Sequence, residues 1–112
     1  MSAEHFIFEP FPIIRLAITF VQTWALIDPR ASEPQSVTFC VVRSLAKGPI
    51  QTSYGCAVRN PSDGVDFRIG REVALTRALS DILWKLHLSN KEYRRIARRA
   101  LWEADGKNKQ RG

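Results

Sequence analysis

The sequence predicts an α+β domain, with a three- to four-stranded antiparallel sheet followed by two C-terminal helices packed on it. Three observations point there. Residues 13–58 are rich in β-branched and aromatic residues that alternate with polar ones. Residues 67–104 switch to apolar positions spaced three and four apart. The strands precede the helices instead of alternating with them, which argues for an antiparallel sheet with helices on one face. At 112 residues the chain fits a single domain, 1–112. The prolines predict a flexible N-terminus (about 1–10), and the polar end predicts a flexible C-terminal tail (about 105–112).

In chain order, residues 1–12 read as irregular, because Pro10 and Pro12 oppose regular pairing. Ile13 to Ile27 reads as a long strand, with Ile14, Leu16, Ile18, Phe20, Trp24 and Leu26 on one face and Gln22 as the exception. Asp28 to Ser36 holds two prolines among small polar residues and reads as a loop. Val37–Ala46 and Ile50–Val58 read as strands, broken by Lys47-Gly48-Pro49. A turn centred on Gly48 sets Cys40 opposite Cys56, and two reduced thiols or a disulfide both fit that pairing. Asn60-Pro61-Ser62-Asp63-Gly64 has the chemistry of a turn, and Asp66 is a helix N-cap candidate. A helix is predicted from about Phe67 to Leu86, with Leu75, Ala78, Leu79, Ile82, Leu83 and Leu86 as its buried stripe. Ser89 and Glu92 form a capping box that opens a second helix running to about Ala104. Its apolar stripe is Tyr93, Ile96, Ala97, Ala100, Leu101 and Ala104.

Net charge is +6, with a pI near 9.9, which favours anionic partners without choosing among them. The start M-S-A-E-H-F lacks a basic region followed by an apolar core, so no secretory signal is expected. Arg15, Thr19, Gln22 and Thr23 interrupt the best apolar run, so no membrane span is expected either. The expectation is a cytoplasmic chain with reduced thiols.

Catalysis finds little support. Neither histidine sits in a catalytic signature, and the cysteines lie in strands. Cys40, Cys56, His5 and His87 show no metal-ligand spacing. The seven-residue segment from Gly64 to Gly70 lacks the Gly-Lys-Ser/Thr ending of a phosphate loop. The chain is read as a non-enzyme with no cofactor and no metal.

Two regions could hold an anion. The first is the strand-to-helix corner Tyr54–Leu79, where Arg59, Asn60, Asp63, Asp66, Arg71 and Arg77 converge. Arginine offers paired donors to phosphate oxygens and a flat plane for a base, and asparagine offers both a donor and an acceptor. Gly70 costs about 1 kcal/mol against alanine inside a helix. Such a glycine marks close approach, either by another part of the chain or by a ligand. The second region is the following helix, where Lys91, Arg94, Arg95, Arg98 and Arg99 could neutralise nucleic-acid phosphates. Both regions have plain structural alternatives, a turn with local ion pairs and a solvated face respectively.

The run Y-G-C-A-V-R-N-P-S-D-G-V-D-F-R-I-G-R-E-V-A-L-T-R-A-L resembles the first type of Thoeris anti-defence sponge, a family of small phage proteins. The matching positions are Gly55, Ala57, Asn60, Pro61, Asp63, Phe67, Gly70, Arg71, Ala74, Arg77 and Ala78. They cover about a quarter of the chain. The N-terminal half has no alignable motif, and the loop from Asp63 to Phe67 is longer than in the tight form of the pattern. The resemblance implies a small sheet with two helices, a homo-oligomer (dimer or hexamer), and capture of cyclic ADP-ribose isomers or cyclic oligonucleotides without cleavage. It places the family's ligand-contacting asparagine and arginine on Asn60 and Arg77. Arg59, Gly70, Arg71, Asp63 and Phe67 complete the candidate ligand site by their place at the same corner, and no further ligand contact of the family is carried over. The alternatives from other classes are a nucleic-acid-binding phage module using the basic helix, and an inhibitor that docks on a bacterial defence enzyme.

Overall fold

The computed structural model describes residues 2–12, 14–26, 29–30, 33–45, 51–58 and 67–110. Four strands form one antiparallel sheet in sequence order: β1 (Ser2–Phe11), β2 (Ile14–Ala25), β3 (Gln35–Ser44) and β4 (Thr52–Val58). Two helices follow, α1 (Phe67–Ile82) and α2 (Asn90–Gln110). Both lie on the same side of the sheet, so the architecture is the α+β arrangement that the residue patterns predict.

The core lies between the layers. Phe8, Leu16, Ile18, Phe20, Cys40 and Val42 face it from the sheet, Ala74, Leu75, Ala78 and Leu79 from α1, and Tyr93, Ala97 and Ala100 from α2. Burying each large side chain contributes about 1.5–3 kcal/mol, so this packing rather than helix propensity holds α1 in place. Helix and sheet come closest at Gly55. A Cβ there would overlap the carbonyl oxygen of Ala74 and sit 2.9 Å from the amide nitrogen of Ala78. Beside it, the buried Ser53 hydroxyl donates to the carbonyl of Ala78 at 2.7 Å. The capping box forms: the Glu92 amide donates to Ser89 Oγ at 3.2 Å, and the Ser89 hydroxyl donates to the Glu92 carboxylate at 3.1 Å. The buried Tyr93 hydroxyl donates to the carbonyl of Leu83 at 2.8 Å and fastens α2 to the end of α1.

Several expectations are corrected. Residues 2–11 form a strand where the prolines argued for irregular chain. β1 is an edge strand whose register slips between Phe8 and Phe11, so Pro10 sits in an irregularity where its missing N–H costs little. α1 stops at Ile82 and gives way to a 3-10 turn, Trp84–Leu86, closed by His87 in the left-handed region at φ 52°. The chain therefore turns before Leu86 can pack, and Leu86 is exposed. α2 continues past Ala104 to Gln110, where a disordered tail was expected. Cys40 pairs with Gly55, not Cys56, and both thiols are free. The turn chemistry at Lys47–Pro49 and at Asn60–Gly64, and the cap at Asp66, lie outside the described residues.

Candidate functional site

β4 and α1 form the two arms of the corner that the sequence singles out. Of its residues, Arg59, Asn60 and Asp63 lie outside the described residues, and Phe67 is described only as the first residue of α1. Gly70, Arg71 and Arg77 are placed, and they do not converge.

Arg77 is exposed and reaches β4, where its Nη1 donates to the carbonyl of Cys56 at 2.5 Å. The ladder fixes which way that carbonyl points. The amide of Ser44 donates to Gln51 at 2.9 Å, so that pair and every second pair along β3–β4 exchange hydrogen bonds. Cys56 faces Phe39 in an intervening pair, so its N–H and C=O point to the free edge of the sheet. Arg77 thus lies along that edge, and among the described residues no carboxylate pairs with it.

Arg71 reaches the opposite edge. Its Nη1 donates to both oxygens of Glu4 on β1 at 3.2 and 3.1 Å, and its Nη2 to Asp105 on α2 at 3.2 Å. The side chain is 13% exposed and clamps β1, α1 and α2 together. Gly70 lies over β3, where an added Cβ would stand 3.0 Å from Thr38 Oγ1. Packing against Thr38 accounts for a glycine at that position.

Trp24 is a residue that the pattern reading misplaces. Period two puts it with the buried face of β2, and its partner Ser36 is buried, yet Trp24 is 62% exposed. It lies beyond the row of Thr38, over which the first turn of α1 sits, so no helix covers it. An uncovered indole there is a flat surface on which a base can stack. The sequence signal was only its aromatic type, since its exposure depends on where α1 begins.

α2 presents the second candidate. Asn90, Lys91, Arg94, Arg95 and Arg98 line a surface groove between long side chains of this one helix. Arg98 Nε stands 2.9 Å from Glu72 Oε1, and Arg94 Nε stands 3.9 Å from the same oxygen. Lys91 and Arg95 have no ion-pair partner among the described residues. Arg99 turns the other way, to the carbonyls of Glu9 and Pro10 and over the Phe8 ring at 5.3 Å. Trp102 is 77% exposed and continues the row of Lys91, Arg95 and Arg98 at helical spacing.

Cys40 is wholly buried, and burial pushes its thiol up to about 12, which makes it inert at neutral pH. His5 Nδ1 bonds Thr19 Oγ1 at 2.8 Å on the outer face of the sheet. Among the described residues no cluster of three or more His, Cys, Asp or Glu could hold a metal. Among them, too, no helix is long and apolar enough to cross a membrane.

No family model, no curated protein and no solved structure matches this chain.

Proposed function

We propose that this chain is a phage anti-defence protein that captures a cyclic nucleotide signal and holds it intact in the cytoplasm of a bacterial host. The ligand class is a cyclic ADP-ribose isomer or a cyclic oligonucleotide. One observation carries the reading. Arg77, the arginine that the resemblance assigns to the ligand, is exposed on the free edge of β4 and unpaired with any described carboxylate. β4 ends at Val58, two residues before Asn60, so the strand beside Arg77 leads directly into the matched asparagine. In this reading Arg77 and Arg59 hold phosphate, Asn60 and Asp63 read ribose or base, and Phe67 stands at the start of α1. Gly70 packs on Thr38 and Arg71 engages Glu4 and Asp105 at the opposite edge, so the site is built without them.

Sequestration differs from cleavage in what can be recovered. The protein is mixed with excess signal-responsive effector and a limiting amount of signal. The effector should fall silent, and heating the protein should release the nucleotide at unchanged mass. Release of a smaller fragment, or an effector that stays active, contradicts the proposal.

A second reading is favoured by the groove on α2. Lys91 and Arg95 have no ion-pair partner among the described residues, Arg94 and Arg98 share one carboxylate, and Trp102 extends the row. A basic helix with an exposed aromatic could lie along nucleic acid, with the cations on phosphates and the indole on a base.

A further inference from the structure

α2 contains three acids, and each is engaged away from its basic row. Glu92 accepts from the Ser89 hydroxyl at 3.1 Å in the cap, Glu103 pairs with Arg99 at 3.5 Å, and Asp105 pairs with Arg71 at 3.2 Å. The row itself runs Lys91, Arg95, Arg98, Trp102. Its spacings of four, three and four put all of these side chains on one helix face. Arg94 flanks the row and lines the same groove. The face therefore combines a line of cations, no acid of its own helix, and an indole standing out in solvent at one end.

We infer that this row binds single-stranded nucleic acid in preference to duplex, with little regard to sequence. The inference rests on the nucleic-acid reading of α2 and names the form of nucleic acid which that surface takes. Trp102 decides between the forms. Along a duplex every base is stacked on both faces and shows only its edges in the grooves, so an indole finds no ring to stack on. An unpaired base offers its face to an aromatic, whatever the base. The cations also suit one strand. From Lys91 to Trp102 the helix rises about 16 Å, the length of a few nucleotides. On the α1 side the row is bordered by the Glu72 carboxylate, which disfavours a second line of phosphates there. Contacts to phosphates and to a base face carry no base-edge readout, which makes binding tolerant of sequence.

Fluorescence anisotropy of labelled oligonucleotides with the full chain tests it. The arms are a mixed-sequence DNA strand, the RNA strand of the same sequence and the DNA duplex. Both single strands should bind at least about tenfold tighter than the duplex. Trp102→Ala should weaken single-strand binding at least about fivefold and leave duplex binding within about twofold. It should leave the salt dependence unchanged, because an indole neutralises no phosphate. Lys91→Ala should instead make the logarithmic salt slope for single strands shallower by about 0.7. Trp102 is largely in solvent, so its replacement should leave the far-ultraviolet circular dichroism spectrum unchanged. A duplex bound as tightly as the single strands overturns the inference and leaves the nucleic-acid reading of α2 standing. So does a folded Trp102→Ala protein with full single-strand affinity. Failure of every oligonucleotide to bind removes that reading and the inference with it.

Discussion

Gly55 and Gly70 look alike in the sequence and carry opposite predictions. A methyl group on Gly55 meets the backbone of α1, which cannot yield without lifting the helix from the sheet. Gly55→Ala should cost about 3 kcal/mol or more, read as a lower urea midpoint. Gly70→Ala meets a threonine side chain at 3.0 Å and gains helix propensity, so its unfolding free energy should change by less than about 1 kcal/mol. If Gly70→Ala also unfolds the protein, Thr38 cannot yield to the added methyl group. Arg71→Met leaves Glu4 and Asp105 facing each other half-buried, and should cost about 2 kcal/mol because both acids keep partial contact with water. An unchanged melting temperature would contradict the clamp. Cys40 predicts a pH effect of definite sign. The native thiol stays neutral up to about 12, while the unfolded thiol ionises from 9.0. The unfolded chain then binds fewer protons, so stability is intact below 9.0 and falls as pH rises above it. Compared with Cys40→Val, the wild type should lose up to about 1.4 kcal/mol more per pH unit in that window. Equal slopes for the two proteins would contradict it.

At the scale of elements, most of the order was legible. Period two marked β2 to β4, and the spacing of leucines and alanines marked α1 and α2. The Ser89–Glu92 cap was legible because its mechanism is local. What failed was set by neighbours distant in sequence. β1 is a strand because Phe6 and Phe8 pair with Ile18 and Leu16, which no local propensity around Pro10 could show. A slip of one residue in the β3–β4 register put Cys40 and Cys56 on opposite faces. The two arginines of the corner could not be sorted from sequence either. Arg71 and Arg77 share one helix, and only the sheet shows that they reach opposite edges. On α2, Arg94→Glu with Arg98→Glu should abolish any nucleic-acid binding and should leave cyclic nucleotide binding within about twofold. Duplex and single-strand shift assays at two salt concentrations check this. Retained, salt-independent binding would remove α2 from consideration.

At the scale of the molecule, the two candidate regions lie on different sides of α1. Arg77 lies toward β4, whereas Glu72 draws Arg94 and Arg98 toward α2. A ligand held at one region therefore need not touch the other, and substitutions at each can be read separately. A sponge also needs slow release, because a weak binder leaves signal free. The most direct test is calorimetric titration of the pure chain with cyclic ADP-ribose isomers and cyclic di- and trinucleotides. The account predicts sub-micromolar binding of at least one of them, weakened at least about hundredfold in Arg77→Ala and preserved in the α2 double variant. Absence of sub-micromolar binding to every one, or full binding by a folded Arg77→Ala protein, would contradict it.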